Sequence, residues 1–367
     1  MTPEATKEIE QIKKWIETGK ELRAVNDRLL ELNWIFLHPY SQGMDIEILK
    51  RLLDGPNPEK KILNFFGKKF LNLISTLHFI EGFYKKRSFL KDFGQPIEES
   101  VILCIQRDYR GAISILIPVI EGTLRKFLIS QEGSAWTGST GKGMLQKSLS
   151  GLVDAYVELN KTYLRKRYEH LWSANRYFSD EEERQILEKH RELFQIWLEQ
   201  LERYLIQNLY SDTRKGEPKD SFNRHLIYHA LSDTIEFTLA NYLRLYNCIN
   251  FLCWAIGSIT YESSVFSEVS EEIVFGKYKG YLKLLATSEA ILATKRELLG
   301  RQSDDLSEVL PLNLRAVIKR PKAEITSALK AIDDINFQVE PGNERVKSAP
   351  NKLPKWLVGL IRFTIKS

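Results

Sequence analysis

Four polar side chains sit close together in the stretch Asn223 to Ala230, which reads NRHLIYHA. Asn223, Arg224 and His225 are consecutive, and His229 follows His225 by four residues. A histidine titrates near neutral pH and can carry protons to and from a reacting group. An arginine grips a phosphate with two parallel donors and offsets the charge that develops on it. The first turn of a helix adds backbone donors for an anion. Cleavage of a phosphodiester by attack of a 2′-hydroxyl needs these parts and no metal.

The elements around this stretch must position it. Residues 213–219 (TRKGEPK) read as a loop, and a helix is expected to open near Asp220 or Ser221 and run on to about Ile259. Asn223, Arg224 and His225 then occupy its first turn, with His229 one turn on. At about 100° per residue, Arg224 and His229 stand about 140° apart on that helix, so they do not stack. His225 and His229 do, at i and i+4. An earlier helix, expected over residues 98–130, carries the apolar run LIPVIEGTLR from Leu116 to Arg125. Pro118 within it should kink it. Glu121 on that helix is the candidate acidic partner for Arg224, and a purely structural pairing of the two, with His225 and His229 merely satisfied at a helix start, is the alternative to a site.

This pair of segments resembles the HEPN superfamily, all-α ribonucleases and nucleotide-binding proteins with an Arg-x4–6-His motif. Arg224 to His229 fits the motif, with the polar His225 directly after the arginine, and LIPVIEGTLR resembles the earlier core helix of bacterial members. The bare pattern is cheap: Arg165 to His170 and Arg184 to His190 also fit it. Those two lie on charged helical faces and follow no Gly/Pro loop.

The resemblance implies a metal-independent endoribonuclease acting on single-stranded or structured RNA. It assigns Arg224 and His229 to catalysis, Asn223 and His225 to orienting the substrate or these side chains, and Glu121 to support. Products would be a 2′,3′-cyclic phosphate and a 5′-hydroxyl. The site would form in a homodimer, and the setting would be anti-phage defence or toxin–antitoxin conflict, with an antitoxin or other protein partner. The alternative from another class is a non-catalytic helical sensor or adaptor of the same fold that binds a protein partner or nucleotide.

Composition bounds the rest. The 367 residues carry 53 basic and 48 acidic side chains, a net +5. That permits a polyanion partner without demanding one, and a dedicated nucleic-acid binder is usually more lopsided. Cys104, Cys248 and Cys253 lie in apolar helical runs, which points to buried thiols and a reducing compartment. There is no Cys-x-x-Cys, and His225-x3-His229 lacks the glutamate of a zinc-protease helix, so no metal and no cofactor are expected. His38, His78, His170 and His190 read as surface or packing residues. The GSTGKG stretch at Gly138 to Gly143 fails as a phosphate loop. Trp136 stands where its first glycine belongs, and Gly143 follows the lysine. No secretory leader and no membrane span are read, so a cytoplasmic location is expected.

The expected fold is all-α. It has an N-terminal helical region (1–95), a HEPN-like helical bundle with a helical insert (96–262) and a mostly helical C-terminal extension (263–367). Thr2-Pro3-Glu4 and Ser179 with the acidic run after it mark helix starts.

Overall fold

A computed structural model describes residues 1–36, 43–133, 141–169, 178–211, 223–224, 227, 237–260, 269–299, 324 and 327. The described part is all helical, with no strand. In chain order the helices are α1 (Pro3–Glu31), α2 (Gly43–Asp54), α3 (Pro58–Phe70), α4 (Leu73–Phe79), α5 (Gly94–Ile105), α6 (Tyr109–Glu132), α7 (Gly141–Arg167), α8 (Asp180–Gln207), α9 (Leu239–Ile259) and α10 (Glu271–Leu299). A π-helical turn, Ile80–Tyr84, continues α4, and a 3₁₀ turn, Lys91–Phe93, leads into α5.

The two helix starts read from sequence form as expected. The Thr2 hydroxyl accepts from Ala5 N at 3.2 Å, with Pro3 beginning α1. Ser179 and Glu182 make a reciprocal capping box on α8. The second carboxylate oxygen of Glu182 accepts from Thr2 N, so one side chain ties the starts of α1 and α8 together. Further along, Asn26 meets Gln200, Arg23 meets Glu199 and Asp27 meets Arg203. The rising pairs make α1 and α8 parallel. α7 runs antiparallel to α8, since Arg165 pairs with Glu183, Asp154 with Arg191, and Gln146 with Glu202. Gly19 allows α1 close to α8: a β-carbon there would lie 3.3 Å from Ile196 Cγ2.

Helix ends depart from the sequence reading. α1 stops at Glu31. Asn33 takes φ 56°, Trp34 N donates to Leu29 O and Asn33 N to Leu30 O. That is a Schellman ending with asparagine in the left-handed position. Trp34, Ile35 and Phe36 then pass into the core, held by Asn26, which grips both backbone groups of Phe36. The single helix expected over 98–130 is two helices. Arg107 takes φ 56° and Asp108 N donates to Leu103 O at 2.8 Å, closing α5 in the same way before the Asp108 side chain caps α6. α6 itself runs through Pro118 unbroken. The helix expected from 220 to 259 is also interrupted: Thr238 is extended (φ −107°, ψ 162°) and its hydroxyl caps α9.

α9 is buried on nearly every side and packs against α3, α6 and α7. A helix apolar all round belongs in a core. Two of its asparagines make hydrogen bonds inside: Asn250 accepts from the Tyr84 hydroxyl, and Asn247 donates to Ile35 O at 2.6 Å. Residues from Leu22 to Leu285 join in one large core around it. A second, smaller core gathers the first half of α1, the end of α7 and the start of α8, with Ile9, Ile12, Leu164, Phe178 and Ile186. Cys104, Cys248 and Cys253 are buried free thiols, and burial pushes Cys104 and Cys248 well above the usual thiol range. Among the described residues, no helix is long and apolar enough to cross a membrane.

Candidate functional site

Arg224 sits in a helical turn at the edge of the large core, beside α6 and the end of α8. Its backbone is fixed first. Arg224 N donates to Leu209 O at 3.0 Å. The Asn223 side chain, 1% exposed, donates to Ser211 O at 2.7 Å and to Ser211 Oγ at 2.9 Å. These bonds bring residues 209–211 and 223–224 together as a closed neck. Asn223, expected to orient substrate or the side chains beside it, holds the neck through these bonds.

The Arg224 guanidinium pairs with Glu121 of α6 through one terminal nitrogen. It also lies over the ring of Tyr210, 5.4 Å from guanidinium carbon to ring centroid. The Tyr210 hydroxyl donates to the same Glu121 oxygen at 2.9 Å. One carboxylate oxygen thus takes both a guanidinium and a phenol. The side chains keep 28% (Arg224) and 16% (Glu121) of their exposure, so the pair borders solvent without being sealed from it.

The electrostatics follow from this placing. Burial disfavours charge on Arg224, and the hydrogen bond and charge of Glu121 more than offset it, so the guanidinium is held above its ordinary range. Burial pushes the Tyr210 phenol far up, and the negative Glu121 beside it pushes the same way. Tyr210 is therefore a neutral donor, not a proton source near neutrality. At the residue after Glu121, α6 is packed tightly on its neighbour: a β-carbon on Gly122 would run into the ring of Phe93.

His225 and His229, the proton carriers of the sequence reading, lie outside the described residues. Arg224 does pair with Glu121, the contact that a purely structural role for this arginine expects. Tyr210 and Ser211 were not singled out from the sequence. A signal was there: both lie just before residues 213–219, which read as a loop in the sequence. Among the described residues, no cluster of three or more His, Cys, Asp or Glu side chains could hold a metal.

No protein-family model, curated protein or solved structure matches the chain.

Proposed function

We propose that this chain is a metal-independent endoribonuclease of HEPN type. One observation carries the reading: Arg224 is charged, partly exposed and held by its backbone beside the Glu121-bearing helix α6. In that role Arg224 offsets the charge of the phosphorane as the 2′-hydroxyl attacks. His229 moves the proton, as base toward the 2′-hydroxyl or as acid toward the departing 5′-oxygen. His225 orients the substrate. Glu121 and Tyr210 fix the guanidinium, and Asn223 fixes the backbone beneath it. Products are a 2′,3′-cyclic phosphate and a 5′-hydroxyl, and a second copy of the chain completes the cleft. The setting is anti-phage defence or toxin–antitoxin conflict, in the cytoplasm.

The test is RNA cleavage by purified protein with Arg224 and His229 both replaced by alanine. Loss of cleavage with folding intact supports the reading, and cleavage at the original rate removes it. One observation favours a non-catalytic adaptor of the same fold: Arg224 already has a carboxylate partner within the chain. Wild-type protein inert on RNA but stable in a complex with another protein is the result that reading expects.

A further inference from the structure

We infer that Glu121 is a built-in competitor for the anion that Arg224 takes, and that Tyr210 holds it in the competing position. The inference rests on the proposed role of Arg224 as an anion site and concerns how that site is kept closed.

A phosphate and a carboxylate use the same edges of a guanidinium. Here the carboxylate of Glu121 is already on Arg224, and Tyr210 donates to the same oxygen. The guanidinium also lies over the ring of Tyr210, which crowds that side of it. An incoming anion must displace Glu121 or share the arginine with a negative charge.

Glu121 is not needed to place the backbone of Arg224. The backbone of Arg224 is held to Leu209, and its neighbour Asn223 is held twice to Ser211. None of these bonds involves Glu121. The carboxylate therefore contributes occupancy and charge, while the neck contributes position. Opening the site is also a local event. α6 is fixed by Gly122 against Phe93 and by the buried Ile120 and Leu124, so the helix cannot withdraw the carboxylate. Rotation of the Glu121 side chain can, and its residual exposure gives it room toward solvent. Tyr210 is the brake on that rotation, because turning Glu121 away breaks the phenol's hydrogen bond as well as the ion pair.

The experiment measures binding of inorganic phosphate, and of a short all-2′-deoxy oligonucleotide that cannot be cleaved, to the full chain. Glu121→Gln keeps an acceptor for Tyr210 and removes the charge. It should tighten both ligands by about tenfold. Tyr210→Phe keeps Glu121 and removes the brake, and should tighten them by about threefold. Adding Arg224→Ala to Glu121→Gln should cancel the gain. Circular dichroism verifies folding of each variant, and Tyr210→Phe carries the test if Glu121→Gln fails to fold. Unchanged or weaker binding by the folded variants overturns the inference. If it is overturned while Arg224-dependent RNA cleavage persists, the proposed function stands and Glu121 is a support. If no variant binds either ligand and none cleaves RNA, both fall.

Discussion

The molecule contains the same trio twice. At the large core Glu121 takes the Tyr210 hydroxyl and the Arg224 guanidinium on one oxygen, with Arg224 over the Tyr210 ring. At the small core Glu8 takes the Tyr168 hydroxyl at 2.5 Å and Arg167 at 2.7 Å on one oxygen, with Arg167 5.6 Å from the centroid of the Tyr168 ring. The chemistry is matched, and the setting is not. Arg167 ends α7 and its side chain is 61% exposed, whereas Arg224 is 28% exposed and its turn is pinned to the end of α8. An exposed arginine is hydrated and screened, so its pair adds little. A partly enclosed one keeps its field and its direction. A trio of residue types is therefore not a site. The site needs enclosure and a backbone that does not move.

The two spare Arg-x4–6-His matches make the same point. Arg165 pairs with Glu183 and Arg184 with Glu181, both arginines on exposed helical faces. His190 is packed edge-on against Tyr156, one turn from Ile186 and Leu193 of the small core. Arg184 is turned to Glu181 at the surface while His190 packs on Tyr156, and His170 lies outside the described residues.

The comparison predicts its own largest difference. Arg224→Ala together with His229→Ala should lower RNA cleavage by about 10²-fold or more, while Arg167→Ala leaves the rate unchanged in the same assay. A comparable loss at Arg167 would break the distinction.

Acid should act on the small-core side. Burial holds the His190 imidazole down at about 4, against about 6.5 for an ordinary histidine. Between those values the unfolded chain takes up a proton that the folded chain refuses. Stability contributed by His190 is thus complete above about pH 6.5 and falls as pH drops toward about 4, by about 3 kcal/mol in all. Urea unfolding at pH 7 and pH 4.5 should show this loss, and His190→Leu should flatten it. No change in slope on that replacement would remove His190 as the cause.

Removing the acceptors sharpens the contrast further. Glu8→Ala strands a buried tyrosine hydroxyl and should destabilise the protein by about 1–3 kcal/mol in denaturant unfolding. It should do so without touching phosphate binding, unlike changes at Glu121.

The smallest effect concerns a third charged group. Lys85 and Lys277 are both shared between Glu81, on the π-helical turn, and Glu98 of α5, which ties the first part of α10 to the body. The four side chains are partly exposed, so Lys277→Met should speed hydrogen exchange in α10 modestly, with a stability change of about 1 kcal/mol or less. Global unfolding on that change would show the network to matter far more than the apolar contacts of Val274, Tyr278 and Tyr281.

Much of the fold was legible in the residues because it is decided locally. Thr2-Pro3 and Ser179 with Glu182 satisfy the free amides of their own helices, and a buried stripe at Ile9, Ile12, Ile16 and Leu22 needs only a helical period. Burial of the three cysteines follows from their apolar runs. Arg224 and Glu121 could be proposed as partners from their segments. The helix ends could not be read. Arg107 is an ordinary residue that adopts a left-handed backbone because the chain turns inward there, at a cost of roughly 1–2 kcal/mol met by core contacts formed elsewhere, whereas Asn33 adopts it more readily.

By itself, then, the sequence determined helical elements, the starts of α1 and α8 and the segment where an arginine meets two histidines. Only the tertiary structure decided which carboxylate, ring and backbone surround that arginine. Tyr210 is 89 positions from Glu121, and Arg224 is 103 positions from it. A helix cap is a bond between neighbours and is written in order along the chain. A three-way contact over such separations exists only when α6 and the end of α8 are packed, because packing fixes the direction from which each side chain arrives.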